Sequence, residues 1–170
     1  MKFVYNKKID KKCKEDIDAC KLIFNEEKKT GVFPVNAEII RKFESIWTPE
    51  VEEIFSKKIF QIFGINLPKD FTCFLNSTPY SMDIKQGISV SVSTQTPIRT
   101  ICHEASHYMF RKSIYKDKYF PKIDIEEAKE IFTIINNIYF QDIMENQDIG
   151  WKKFWKDRFN FLSIWLKNTD

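Results

Sequence analysis

Apolar positions in the first third of the chain recur every three or four residues, the period of a helix with one buried face. Ile17, Cys20, Lys21 and Phe24 mark such a face on a helix expected from about Asp10 to Lys28, with Thr30-Gly31 ending it. A second helix is expected from Ala37 to Trp47, with Ile39, Ile40, Phe43 and Trp47 inward. Thr48-Pro49 pairs an N-cap with a first-turn proline. The helix it opens carries Val51, Ile54, Phe55, Ile59, Ile62 and Phe63 and stops at Gly64.

The period then changes. Phe71-Thr72-Cys73-Phe74-Leu75 reads as a strand, and Pro79 to Gly87 as a turn or loop. Ile88 to Ser93 alternates strictly between apolar residues and serine, which predicts a strand with one buried and one wet face. Ile88, Val90 and Val92 face the core in this reading. Thr96-Pro97 repeats the cap-and-proline signal and opens a helix to about Arg111 or Lys112. Pro121 separates it from a helix running from Asp124 to about Phe140, and a last helix spans Trp151 to Leu166. The expected fold is α+β and mostly helical, with a small sheet whose edge strand precedes the helix at 97–111. One domain is expected over 1–170. It comprises a helical part at 1–70, a sheet and paired helices at 71–140, and an amphipathic helix at 150–166.

Composition agrees with a self-sufficient core. The chain has 170 residues, 43% hydrophobic and 30% charged, with 16 Phe and 4 Trp. Its net charge is only +3 and its lysines are dispersed, so no nucleic-acid stripe is evident. No apolar run reaches the roughly 20 residues of a membrane span. Met1 to Lys8 lacks the apolar stretch of a secretory signal, which points to the cytoplasm. Cys13, Cys20, Cys73 and Cys102 form no C-x-x-C pair and read as reduced, buried thiols.

The chemistry lies in His103-Glu104-Ala105-Ser106-His107. Residues i and i+4 share a helix face, so both imidazoles can reach one metal ion. Glu104 can approach the open position of that ion without ligating it, as a general base on zinc-bound water requires. These are the only two histidines, so a third ligand must be Asp, Glu or Cys. The segment Ile123 to Glu130 is the obvious source, and the residues alone do not separate Glu126, Glu127 and Glu130.

The motif followed by Glu127-Ala128 resembles the gluzincins, zinc peptidases with two motif histidines and a later glutamate as ligands. The strand, short loop and motif helix are also similar to the small ImmA/IrrE-like metallopeptidases and to minimal single-domain gluzincins. The resemblance covers about Gly87 to Phe140. It implies a zincin-like fold and one Zn2+ held by His103, His107 and Glu127. Glu104 becomes the general base, and Glu126 or Glu130 an outer-shell group or alternative ligand. It implies an extended peptide or protein substrate held along Ser89, Val90, Ser91, Val92 and Ser93 as an added strand. With no third histidine, the oxyanion stabiliser would come from Tyr139, Tyr115, Tyr119 or Arg158. The expected activity is that of a metallopeptidase, an endopeptidase rather than an exopeptidase. The alternative is a zinc-binding interaction or regulatory protein of the same fold. The C-terminal amphipathic helix reads as a cover for the core.

Overall fold

The computed structural model describes residues 1–24 and 31–168, with side chains described for 1–16 and 31–168. The expected apolar face at Ile17, Cys20, Lys21 and Phe24, and the helix end near Lys28, lie outside the described side chains and residues.

The chain is α+β, with helices around one mixed four-stranded sheet. It opens with a strand that the helical reading of the N-terminus did not include. This strand, β1 (Lys2–Tyr5), pairs in parallel with β2 (Thr72–Asn76). Phe3 is buried and joins the main core, which is why so short a segment takes a place in the sheet. Helix α1 follows (Lys7–Phe24), then α2 (Ala37–Ile46) and α3 (Pro49–Phe63). Asn36 caps α2 by accepting the Ile39 N–H, and Thr48 caps α3 by accepting the Val51 N–H. Gly64 ends α3 with φ +69, a left-handed conformation.

The segment expected as loop holds β3 (Met82–Ile84), which folds back antiparallel onto β4 (Gly87–Ser91). The strand order β1-β2-β4-β3 makes β1 and β3 the edges. The strand before the motif helix is therefore interior, paired with β2 on one side and β3 on the other. Its serine face is not wet either. Ser89 and Ser91 are buried: Ser89 Oγ takes the Cys13 Sγ–H at 3.2 Å, and Ser91 Oγ donates to the Thr78 carbonyl. Helix α1 supplies the cover that a period-two pattern could not announce. Ile88 and Val90 face the other way, into the core.

Helix α4 (Pro97–Phe110) carries the motif and packs on β4. A short helix α5 (Tyr115–Tyr119) leads to α6 (Ile125–Phe132). The expected helix from Asp124 to Phe140 is broken: α6 passes through a 3-10 turn (Thr133–Ile135) into α7 (Asn136–Tyr139). Helix α8 (Trp155–Lys167) closes the described chain, seating Phe161 and Trp165 against Phe132 and Tyr119. Among the described residues no helix is long and apolar enough to cross a membrane.

Candidate metal centre

Helix α4 is buried along nearly its whole length, with Ala105 and Ser106 fully enclosed and His107 2% exposed. Its N-terminus is not capped by Thr96, whose side chain makes no cap bond. Instead the Glu145 carboxylate, 46 to 47 residues away, accepts the Ile98 and Arg99 N–H groups at 2.8 Å each. A carboxylate there also suits the positive end of the helix dipole. The cap fixes α4 against the segment that carries Asp148.

His103 and His107 stand one turn apart with ring centroids 4.3 Å from each other. Glu130 lies between them: one oxygen is 3.5 Å from His103 Nε2 and the other 3.6 Å from His107 Nε2. Zinc bonds of about 2.0–2.1 Å at tetrahedral angles separate neighbouring donor atoms by about 3.3–3.4 Å. The observed spacings are close to that.

Glu126, Lys129 and Glu130 form the i, i+3, i+4 side of α6 that faces α4 and β3. Glu127 falls off this side. It is exposed, and among the described residues it makes no ion pair with either histidine. The carboxylate that reaches both imidazoles is thus Glu130, not the Glu127 of the family spacing. The phase of α6 is the reason: burial of Ala128, Ile131 and Phe132 fixes it. Glu126 is one step removed, paired with Arg111 at 2.6 Å and Lys129 at 2.9 Å.

The outer groups are elaborate, and sequence reasoning missed them. Asp148 Oδ2 lies 2.7 Å from His103 Nδ1, an arrangement that directs Nε2 toward Glu130. Asn136 donates to the same oxygen at 3.3 Å and accepts the Ser106 hydroxyl at 2.8 Å. The Asp148 N–H donates to Asn137 at 2.7 Å. Arg158, named as an oxyanion candidate, is buried beneath this arrangement. It donates to the carbonyls of Glu130 and Asp148 and to Thr133 Oγ1 at 2.6 to 2.7 Å. Gly150 makes room for it: φ is +57, and a Cβ there would sit 2.4 Å from the Arg158 guanidinium. Arg158 braces the site rather than facing a substrate. Asp148 lies 45 residues beyond His103, so no spacing rule could have found it.

On its other side His107 Nδ1 is 3.4 Å from Glu104 Oε2 and 3.9 Å from Asp83 Oδ1. Asp83, on β3, belongs to a closed ring of alternating charge. Lys129 reaches it at 2.6 Å and Arg111 pairs with it, while both cations also hold Glu126. The ring ties the edge strand to the end of α4 and to α6.

Electrostatics separate the roles. Burial opposes charge on His103, but Asp148 and Glu130 outweigh it and hold its pKa well above the ordinary value. Burial, with His103, Lys129, Arg111 and Arg158 nearby, holds His107 well below. Burial pushes Glu104 up to about 8, against the pull of His103 and Lys129.

Three buried polar atoms in this cluster have no hydrogen-bond partner: Glu104 Oε2, His107 Nε2 and Glu130 Oε2. Each such atom costs about 1–3 kcal/mol unless something satisfies it. His103, Glu104 and His107 also offer ligand atoms all within 4.8 Å of one another. Between the two glutamates the contacts decide: Glu130 meets both Nε2 atoms, whereas Glu104 approaches His107 from the Nδ1 side. A cation between the imidazoles would satisfy these atoms more closely than His103 Nε2, 3.5 Å from Glu130, does, so the donor set fits a metal ion.

The other oxyanion candidates sit elsewhere. The Tyr115 hydroxyl donates to the Ile62 carbonyl, and its ring stacks on Phe132. Tyr119 and Tyr139 pack against Trp165. Cys13, Cys73 and Cys102 are free and buried, with thiol pKa values raised chiefly by burial; Cys20 lies outside the described side chains. No family model, curated protein or solved structure matches the chain.

Proposed function

We propose that this protein is a cytoplasmic zinc metallopeptidase of zincin-like fold, with His103, His107 and Glu130 as ligands and Glu104 as general base. The observation that carries this reading is the convergence of unpartnered buried atoms at an H-E-x-x-H helix, with Glu130 at metal-ligand spacing from both Nε2 atoms. The free, buried cysteines favour a reducing compartment.

Zinc bound there would polarise a scissile carbonyl and acidify a water. Glu104 would take the water proton and return it to the leaving amine. Its carboxyl, raised to about 8, holds a proton at neutral pH until a nearby positive charge draws it off. With a metal at Nε2, Asp148 would keep the remaining His103 proton on Nδ1, and the low pKa of His107 keeps that imidazole neutral, the form a ligand needs. An extended substrate would add to β3, not to β4, because β4 has a strand on each side and β3 is the edge strand beside the motif helix. This mode accepts the interior of a chain and favours endopeptidase action on peptides or unfolded proteins.

The second reading, a zinc-holding interaction or regulatory protein, draws on the fate of the oxyanion candidates. Arg158 and Tyr115 have their donors engaged at the elements they brace. One experiment separates the two readings: zinc content and peptide hydrolysis of wild type and Glu104→Gln. The enzyme reading expects about one zinc per chain in both and hydrolysis only in wild type. Zinc in both with no hydrolysis of unfolded polypeptides by either transfers the conclusion to the interaction protein.

A further inference from the structure

Helix α8 buries one face in the core and carries beside it an apolar stripe that is largely exposed, with Leu162 alone of the stripe packed against the core. Arg158, Phe161 and Trp165 are buried at i, i+3, i+7. Trp155, Phe159, Leu162 and Leu166 form a second stripe at i, i+4, i+7, i+11, roughly a quarter turn away. Trp155 is 41% exposed, Phe159 61% and Leu166 48%, and Leu162 is half-buried. Of the ten large hydrophobics exposed among the described residues, six lie between Ile149 and Leu166. By helical phase Ile164 falls on the opposite side of α8, whereas Trp155, Phe159 and Leu166 fall together with Leu162 on one side and make a contiguous stripe. The Trp155 indole N–H donates to the Ile149 carbonyl at 3.0 Å, holding the ring in place at the helix start.

The charges beside the stripe decide its occupant. Lys156 and Lys167 are exposed and fall along one border of the stripe by helical phase, and Lys152 is exposed in the 3-10 turn just before α8. Asp157, the acid on this helix, points away from it. Two copies packed through this face in antiparallel register would bring lysine borders together, which costs affinity. An interfacial helix has the opposite need: Trp, Phe and Leu entering the headgroup boundary, with lysines beside them on anionic lipid. We propose that this second face of α8 docks the protein on an anionic membrane surface, lying in the interface without crossing it. The proposal is independent of the metal centre, which occupies the facing sides of α4 and α6.

The test is co-sedimentation of the full chain with vesicles of phosphatidylcholine alone and with about a third phosphatidylserine. Wild type should bind the anionic vesicles, weaken as salt is raised, and leave the neutral ones unbound. Phe159→Asp should abolish binding, and Lys152→Gln with Lys156→Gln and Lys167→Gln should lower it about 100-fold. Phe161 and Trp165 remain in both variants, and circular dichroism checks that they fold. Failure to bind anionic vesicles at low salt, equal binding to neutral ones, or binding that survives Phe159→Asp overturns the proposal. So does a concentration-dependent dimer that Phe159→Asp dissolves, which assigns the face to a second copy.

Discussion

Two buried polar clusters flank the sheet of this protein, and they are finished to different degrees. On the α1 side, Asp10 accepts the Ser77 N–H at 2.7 Å and its hydroxyl at 2.9 Å. Asn76 accepts from Thr78 at 2.7 and 2.9 Å and donates to Ser89 at 2.9 Å and the Tyr80 carbonyl at 3.1 Å. No side-chain atom of this cluster is left without a partner. On the α4 side, Glu104, His107 and Glu130 each keep an unpartnered atom. Both clusters bear the cost of burying polar groups, but only the first recovers it within the chain. The difference separates a polar network whose partners all lie within the chain from one that could hold a metal ion.

The sharpest way to break that comparison is to remove chemistry without removing metal. Glu104→Gln should lower peptide hydrolysis by about 10²–10⁴-fold while zinc content, read by elemental analysis, stays unchanged. Loss of zinc from this variant would move Glu104 into the ligand set. Glu130→Ala should fail to hold zinc against a chelator that wild type resists, whereas Glu127→Ala should behave as wild type. The reverse ranking would restore the family spacing and discard the contacts of Glu130. Next in size is the outer shell: Asp148→Asn should weaken zinc by about 10–100-fold, because the His103 tautomer loses its anchor.

Stability should distinguish the clusters in opposite senses. Asn76→Ala leaves Ser89 and Thr78 short of partners and should cost about 1–3 kcal/mol in urea unfolding, with zinc binding intact. Glu104→Met removes an orphaned buried carboxylate and should stabilise the metal-free protein by about 1–3 kcal/mol. Destabilisation of the metal-free form by Glu104→Met would mean that the second cluster is as self-satisfied as the first.

How legible each cluster was in the sequence follows the same division. The helix at 97–111, its two histidines and Glu104 came from a local spacing, and α2 and α3 from caps and period, so these were readable. What sequence missed was set by tertiary partners. β1 is four residues long and holds its place through pairing with β2 and burial of Phe3. Ser89 and Ser91 alternate like a wet face and are buried by α1 and by the turn at Thr78. β3 lies in a run read as loop, and its presence moves the sheet edge away from Ser89–Ser93. Three acids in one turn of α6 were equivalent by composition, and only the packing of Ala128, Ile131 and Phe132 picked out Glu130. Asp148 and Glu145 act across 45 to 47 residues, beyond any local pattern.

The smallest effect expected concerns acid, and it probes the charge ring beside His107. Burial raises the Asp83 carboxyl, but Lys129 and Arg111 outweigh it and hold the pKa below the ordinary value. The unfolded chain therefore takes up this proton first as pH falls, near the ordinary aspartate value of about 3.9. Above that value the stability contributed by Asp83 is complete and independent of pH. It is lost as pH drops through the lower folded value, because there the unfolded state binds more protons. Asp83→Asn has no such proton. In chelator, to exclude metal release, the variant should be less stable than wild type at pH 6, since Lys129 and Arg111 lose a charged partner. It should then show a flatter decline below about pH 4, so that the two curves converge. Urea midpoints taken across that range measure it directly. Parallel curves would show that Asp83 titrates alike in both states, and that the ring holds β3 by geometry without favouring its charge.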